Sequence, residues 1–166
     1  MIRLLTKVDA KQYWELRLQA LQINSEAFLT TYEEAIRQEK PLERVASNLS
    51  SNSSFTFGAF NKENHLVGVV TLLTEEKEVC KHKGHIVAMY VDAEHRRNSL
   101  ARDLIRKAIE RAREMKLEQL NLGVVSTNEA AKRLYESIGF KTYGIEKRAF
   151  KKNGVYSDDE YMVLFL

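Results

Sequence analysis

The sequence predicts an α+β domain with a mostly antiparallel sheet of about seven strands flanked by helices. Its 166 residues, 44% of them apolar, suffice for one domain with its own core over residues 1–166. Short β-rich segments are bounded by turn residues such as Asn and Gly. An amphipathic helical pattern beginning near Leu100 lies between two such segments, which predicts one locally parallel strand pair in the sheet.

Composition narrows the classes of function. The 26 basic and 23 acidic residues leave a net charge of +3, too balanced to suggest a nucleic-acid binder. The longest apolar run, residues 66–73, is shorter than a membrane span and no secretory signal is present, so we expect a soluble, cytoplasmic protein. Cys80 is the only cysteine. With His82 and His85 it does not complete a metal-ligand set, and we expect no metal.

The first third of the chain reads as a strand followed by helices. Residues 2–5 are predicted to form a strand, and Asp9 is positioned to cap the helix that follows. Residues 25–38 and 41–49 are predicted to be helical. Pro41 suits the first turn of the second segment, because a proline there loses no helical hydrogen bond.

The middle of the chain alternates strands and turns. Residues 55–60 and 65–73 form a predicted hairpin around the turn residues 61–64, and residues 85–91 form a third strand. The helix near Leu100 follows.

The last third begins with a strand at residues 120–125. Ser126 and Glu129 have capping-box spacing for a helix that ends near Gly139. Two further strands, residues 142–150 and 156–166, flank an Asn-Gly pair typical of a hairpin turn.

The stretch HRRNSLAR, residues 95–102, connects a predicted strand to a predicted helix. Unpaired backbone N–H groups and the positive end of the helix would converge there, which favours phosphate binding. Arg96, Arg97 and Arg102 add positive charge. The alternative is an ordinary solvated helix start with surplus arginines.

A second motif follows about thirty residues later, as NEAAKRLYESIGF. Together the two motifs resemble the GNAT N-acetyltransferase superfamily, whose patterns are Arg/Gln-x-x-Gly-x-Gly/Ala and Asn-x-x-Ala-x-x-x-Tyr-x-x-x-Gly-Phe. The matching residues are Arg96 and Ala101, then Asn128, Ala131, Tyr135, Gly139 and Phe140. The resemblance covers residues 55–165 and implies the GNAT fold. Ser99 departs from it, since the family usually has glycine there.

The resemblance implies transfer of an acetyl group from acetyl-CoA directly to a primary amine of a small molecule or peptide. Tyr135 would be the general acid that protonates the departing thiolate. Taken alone, Tyr135 would fit an ordinary packing aromatic. The expected cofactor contacts are Met89, Tyr90, Val91, Arg96, Arg97, Asn98, Ser99, Leu100, Ala101, Arg102, Asn128, Ala131 and Tyr135. A non-catalytic acyl-CoA-binding or sensor module is the alternative.

The acceptor site is less defined by the sequence. Phe28, Tyr32, Glu33 and Tyr156 are candidate substrate contacts, and we expect them near Phe150 and the acidic run at residues 158–160. The general base is left open among Glu26, Glu33, Glu34, His85, Asp159 and Glu160. No nucleic-acid or membrane partner is expected, and a homodimer is possible.

Overall fold

A single seven-stranded sheet organises the chain in the computed structural model, which describes residues 1–97 and 99–166, without the side chain of Glu26. The strand order is β1-β2-β3-β4-β5-β7-β6. The strands are β1 (Ile2–Leu4), β2 (Ser54–Phe60), β3 (Leu66–Thr74), β4 (Lys83–Val91), β5 (Gln119–Val125), β6 (Lys141–Lys152) and β7 (Val155–Phe165). Neighbouring strands are antiparallel except β4 and β5, which are parallel. The predicted fold class is confirmed.

Helices cover the two faces of the sheet unequally. They are α1 (Ala10–Ile23), α2 (Tyr32–Ile36), α3 (Pro41–Leu49), α4 (Leu100–Glu114) and α5 (Glu129–Ile138). α4 and α5 pack on one face, and α1 packs with α3 against the opposite face over β2, β3 and the end of β4. No helix in the described part of the chain is long and apolar enough to cross a membrane.

The main core lies between the sheet and α4. Buried residues recur along α4 at helical spacing, namely Leu104, Ile105, Ala108, Ile109 and Ala112. They meet every second residue of the central strands, including Leu72, Ile86, Leu120, Leu122 and Met162. The helical spacing in α4 and the two-residue alternation in the strands therefore place their apolar side chains in the same layer.

The hairpin between β6 and β7 has the predicted turn. Asn153 and Gly154 have φ values of 50° and 78°. Two consecutive residues with positive φ match the right-handed twist of a hairpin, and Asn-Gly tolerates this conformation best.

Three local predictions were wrong. Asp9 precedes α1, but its carboxylate accepts hydrogen bonds from the Arg3 guanidinium and the Thr6 N–H instead of capping the helix. Residues 25–38 contain only a single turn at Ser25–Ala27 and the short α2, because Phe28 is extended. The second helix start was readable from the sequence, since Thr31 and Glu34 form a capping box.

The third error concerns α5. Asn128, not Ser126, caps this helix, and its Oδ1 accepts a hydrogen bond from the Ala131 N–H at 3.2 Å. The Ser126 hydroxyl is buried without a hydrogen-bond partner among the described atoms. Asn is as good a cap as Ser, so spacing alone did not discriminate the two positions.

A bulge in β4 positions the candidate site. Thr71 pairs with Val87, but Val69 pairs with Tyr90, so β4 contains one extra residue opposite β3. Ala88 lies at this bulge and has a left-handed backbone, with a φ of 52°. The bulge inverts the side-chain alternation: Ile86 faces α4 before it, whereas Val91 faces α4 after it and Tyr90 faces α1.

Candidate active site

The two parallel strands separate in the middle of the sheet. β4 and β5 pair only from Lys83–Gln119 to His85–Asn121, within the described residues. Beyond this point β4 continues to Val91 along β3, and β5 continues to Val125 along β7. The facing edges therefore offer backbone N–H and C=O groups that no strand between them satisfies. An extended molecule with amide groups fits such an opening.

The loop after β4 has two residues in left-handed backbone conformation. Arg97 has a φ of 70°, and Ser99 has a φ of 57° and a ψ of −7° at the position before α4. Glycine adopts this conformation without cost, which explains why a glycine is usual there in the resembling family. Ser99 reaches it as well, and its hydroxyl donates a hydrogen bond to Asp103 Oδ2 at 2.8 Å. Ser99 therefore adopts the backbone conformation that glycine favours at this position.

The three predicted phosphate-binding arginines have different surroundings. Arg96 Nε donates to the Val91 carbonyl oxygen at 2.8 Å, and its terminal nitrogen donates to Asn24 Oδ1 at 3.0 Å. Arg97 is exposed. Arg102 donates to the Ser137 hydroxyl at 3.0 Å, toward the end of α5. Arg96 and Arg97 are both exposed, but Arg96 joins the end of β4 to the residue that follows α1. Asn98 lies outside the described residues.

The second motif lies on α5 beside the separated strands. Ala131 is half-buried, and Tyr135 is 7% exposed in the core between the sheet and α4. The Tyr135 ring packs edge-on against Phe140, with ring centroids 5.8 Å apart. Burial raises the pKa of Tyr135 to about 12, so the phenol keeps its proton at neutral pH. Asn128 has its carbonyl oxygen committed to the helix cap.

Tyr90, at the end of β4, faces the other side of the sheet. Its ring lies 6.1 Å from the Phe28 ring and 5.6 Å from the Arg96 guanidinium carbon, centroid distances in both cases. Its hydroxyl is buried with no hydrogen-bond partner among the described atoms. Burial is the main cause that raises the pKa of Tyr90. Met89 and Leu100 pack against the α4 side of the core, as does Ala101.

The predicted substrate residues lie on the segments around α2 and on the β6–β7 hairpin. Phe28 packs beside Tyr90, and Tyr32 is half-buried on α2. Glu33 is exposed. The ring of Tyr156 lies beneath Arg148 and Lys151 of its own hairpin, 5.2 and 5.1 Å from their charged groups. Phe28 lines a small pocket beside Tyr90, and a larger groove elsewhere on the sheet is lined by neither Phe28 nor Tyr156. The expectation that Phe28 and Tyr156 line one acceptor site stays a prediction.

That groove lies where no helix covers the sheet. It has a volume of about 600 Å³ and occupies the α1 side of β4, β5 and β7. Its walls include Tyr143, Tyr161 and Phe165, and the first two rings are stacked with centroids 6.2 Å apart. These residues were missed in the sequence. The available signal was the alternation of residues 161–165 in β7, where every second side chain faces the groove.

The acidic run at the end of the chain is divided between different surroundings. Asp158 pairs with Lys147 at 2.8 Å, and Glu160 pairs with Lys132 at 3.1 Å on the α5 side. The hydrogen bond from Lys147 is the main cause that lowers the pKa of Asp158, and the hydrogen bond from the Thr142 hydroxyl is the main cause that lowers the pKa of Glu160. Asp159 instead lies over the Gly123 backbone in β5. Burial, followed by the nearby Glu146, raises the pKa of Asp159.

Two other candidate bases, His85 and Glu34, have local partners, and Glu33 is exposed. His85 Nε2 lies 2.8 Å from Glu75 Oε1 at the rim of the groove. The Glu34 carboxylate accepts from the Thr31 N–H. The side chain of Glu26 lies outside what the structure describes.

The sheet is mixed and seven-stranded, and its two parallel strands separate in the middle. β4 then leads into a left-handed backbone at the start of α4. Together these features define the class of fold seen in GNAT acetyltransferases. The chain belongs to the acetyltransferase (GNAT) domain family, because the sequence model of that family matches residues 2–161. This confirms the resemblance read from the two sequence motifs.

Individual relatives agree with this assignment. The chain is 24% identical over 129 residues to the probable N-acetyltransferase YjcK of Bacillus subtilis, covering 76% of this chain and 70% of that protein. An acetyltransferase of the GNAT family from Streptococcus pneumoniae has a similar fold, with a TM-score of 0.87, 22% identity and coverage of 100% and 99%. The structure of YncA, a putative acetyltransferase from Salmonella typhimurium with its cofactor acetyl-CoA, aligns with a TM-score of 0.84, 20% identity and coverage of 100% and 93%.

Proposed function

We propose that this protein transfers an acetyl group from acetyl-CoA directly to a primary amine of a small molecule or peptide. One observation carries the proposal: β4 and β5 part beyond His85 and Asn121, and the open end of β4 leads into a left-handed loop at the start of α4. A ligand with an extended amide-bearing arm and a pyrophosphate matches both features. The relative YncA, with bound acetyl-CoA, supports the same ligand.

The open edge of β4 would bind the pantetheine arm. Residues Met89, Tyr90 and Val91 lie on β4 beyond its pairing with β5, and a backbone N–H on this part of the strand would stabilise the oxyanion that forms on the thioester carbonyl. Preorganised amides suit this task because they do not have to reorient during the reaction.

The loop would bind the pyrophosphate. Backbone N–H groups at the start of a fifteen-residue helix point outward, and the helix dipole favours negative charge at this end. Arg97 adds an exposed positive charge. Arg96 would act indirectly, since its bonds to Val91 and Asn24 hold the end of β4 in place.

Tyr135 would act on the sulfur. Its raised pKa keeps the phenol protonated, so it is a hydrogen-bond donor at all physiological pH values. The neutral amine attacks the thioester carbon, the C–N bond forms and the C–S bond breaks. The sulfur leaves as the thiol, with its proton delivered through the Tyr135 hydroxyl, and the nitrogen loses one proton to a base.

The proposal is tested by calorimetric titration with acetyl-CoA, followed by a thiol-release assay with a panel of primary amines. Arg97→Ala serves as the variant with weakened phosphate binding, and Lys62→Ala, in the β2–β3 turn, serves as the matched surface control. We expect micromolar binding, reduced at least about tenfold by Arg97→Ala and unchanged by the control. Binding without thiol release over the whole panel would favour the non-catalytic acyl-CoA module, and absence of binding would refute the proposal.

A further inference from the structure

We propose that Asp159 is the general base, and that the acceptor is a primary amine carried on an aromatic body that lies in the helix-free groove. This inference rests on the proposed function and names the residue and substrate class that the proposed function leaves open. It is argued from the position of Asp159, from its lack of a cationic partner and from the groove walls.

The position of Asp159 relates it to the parted strands. A Cβ atom placed on Gly123 would lie 3.0 Å from Asp159 Oδ2 and 3.3 Å from Oδ1, so the carboxylate rests on the bare backbone of β5. Gly123 lies two residues beyond Asn121, the last residue of β5 paired with β4. The carboxylate therefore borders the opening where the thioester would be held.

The charge of Asp159 is uncompensated, unlike that of its neighbours. Asp158 and Glu160 each have a lysine partner, whereas Asp159 has no cationic partner among the described residues. A half-buried carboxylate without a counter-charge is costly, and a cationic ligand would relieve that cost. An acceptor ammonium group supplies such a charge.

Several groups face Asp159. Glu146 on β6 lies opposite it in the strand register, and the Glu146 carboxylate accepts a hydrogen bond from the Tyr161 hydroxyl. Gly123 and Val125 of β5 contribute no charge. The surroundings are thus acidic or apolar, which favours a bound cation and gives the carboxyl group a higher proton affinity than an exposed aspartate.

The groove walls indicate the body of the acceptor. Tyr143 and Tyr161 stack beside each other, Phe165 is 74% exposed, and Val87 and Val163 complete an apolar floor. Exposed aromatic rings next to a carboxylate suit an amine whose own ring packs on them. Among the candidate bases on other elements, His85 and Glu34 have local partners and Glu33 is exposed on α2.

The proton balance is complete with Asp159 in this role. The ammonium group of the acceptor gives one proton to the Asp159 carboxylate, and the neutral amine attacks the thioester carbon. The nitrogen loses its second proton as the amide forms, and the sulfur gains one as the C–S bond breaks. Asp159 then releases its proton to solvent, which restores the carboxylate and leaves one net proton in solution.

Asp159→Asn tests the role of the carboxylate, with tyramine as the probe amine. Asp158→Asn is the matched control, because it removes a neighbouring carboxylate of β7 that is paired with Lys147. We expect Asp159→Asn to lower kcat/KM at pH 7 by about a hundredfold, in the usual range for loss of a general base. The control should stay within about threefold of wild type.

The pH profile separates a base from a merely structural residue. With the carboxylate present, kcat/KM should be nearly constant from pH 7 to 9. In Asp159→Asn it should rise about tenfold per pH unit, because only the neutral fraction of the amine reacts and its pKa lies near 10. A flat profile in the variant, or activity equal to wild type, would overturn the assignment of Asp159.

Two further measurements keep the test decisive. Acetyl-CoA affinity and the thermal midpoint should be unchanged in Asp159→Asn; if wild type does not bind acetyl-CoA, the proposed function fails before this inference is reached. Gly123→Ala places a methyl group against the carboxylate and should reduce kcat/KM for tyramine without changing acetyl-CoA affinity. Preference for spermidine over tyramine by more than about tenfold would refute the aromatic substrate class.

Discussion

Ser99 and Asp103 form a hydrogen bond across the first turn of α4, with Ser99 Oγ donating to Asp103 Oδ2 at 2.8 Å. Ser99 has a left-handed backbone, which is uncommon for any residue with a side chain. The hydrogen bond holds the serine in this conformation. Ser99 thereby adopts the left-handed backbone conformation that glycine favours, although a residue with a side chain rarely does so.

Substitutions at Ser99 should therefore separate backbone shape from side-chain chemistry. Ser99→Gly is expected to change the free energy of unfolding by less than about 1 kcal/mol, because relief of strain and loss of the Asp103 bond oppose each other. Ser99→Val should destabilise by about 2 kcal/mol and weaken acetyl-CoA binding at least about tenfold, since a β-branched residue rarely adopts this conformation. Urea unfolding and calorimetry measure both; equal behaviour of the two variants would contradict this account.

Arg96 and Arg97 are adjacent but should give opposite phenotypes. Arg96→Ala removes the hydrogen bonds to Val91 and Asn24 and should lower the free energy of unfolding by about 1–2 kcal/mol. Arg97→Ala should leave stability unchanged and weaken acetyl-CoA binding. Thermal melts paired with acetyl-CoA titrations of both variants would reveal the difference, and a stability loss in Arg97→Ala would show that its role is structural.

Tyr135→Phe is expected to affect turnover and not cofactor affinity. The ring continues to pack on Phe140 in this variant, and only the hydroxyl is lost. We expect kcat to fall about a hundredfold while the Kd for acetyl-CoA changes less than about twofold. Single-turnover kinetics would check this prediction. An unchanged kcat in Tyr135→Phe would show that Tyr135 has only a packing role.

The Arg3–Asp9 pair makes stability depend on acid pH. The Arg3 guanidinium donates to both oxygens of Asp9, at 2.9 and 2.7 Å, and holds the pKa of that carboxyl below its usual value. The stabilising contribution is present above the ordinary pKa near 4 and is lost as the pH falls through the lowered pKa of the folded state. Asp9→Asn should cost about 2 kcal/mol at pH 7 and progressively less below pH 4, as measured by urea unfolding. A constant difference across pH would rule out this linkage.

Thr56 and Thr71 form a buried hydroxyl pair across β2 and β3 at 2.8 Å. Each single valine substitution should cost about 1–2 kcal/mol, because it leaves the other hydroxyl without a partner. The double substitution Thr56→Val/Thr71→Val should cost less than the sum of the two. Strict additivity in chemical unfolding would show that the hydroxyls act independently.

The sequence alone predicted strand order along the chain, the parallel pair and the two motif helices, because periodicity and turn residues are local signals. It did not predict the groove, since Tyr143 and Tyr161 become neighbours only through the register of β6 and β7. The sequence likewise did not predict the different contacts of the three arginines Arg96, Arg97 and Arg102. What distinguishes Arg96 from Arg97 is contact with Asn24, seventy-two residues earlier in the chain.

The inserted residue in β4 has a consequence for substitution experiments on this strand. Up to Val87 the even-numbered positions are intolerant of charge because they enter the α4 core, whereas after Ala88 the odd-numbered positions do so. A scan of aspartate across residues 83–91 would therefore show unfolded variants at alternate positions up to Val87, and this alternation would end beyond Ala88 because Tyr90 and Val91 are both buried, on opposite faces of the sheet. Deleting Ala88 would restore one continuous alternation while Tyr90 still faces α1 and Val91 still faces α4, so the pairing with β3 on each side of the bulge determines which side chains face each helix.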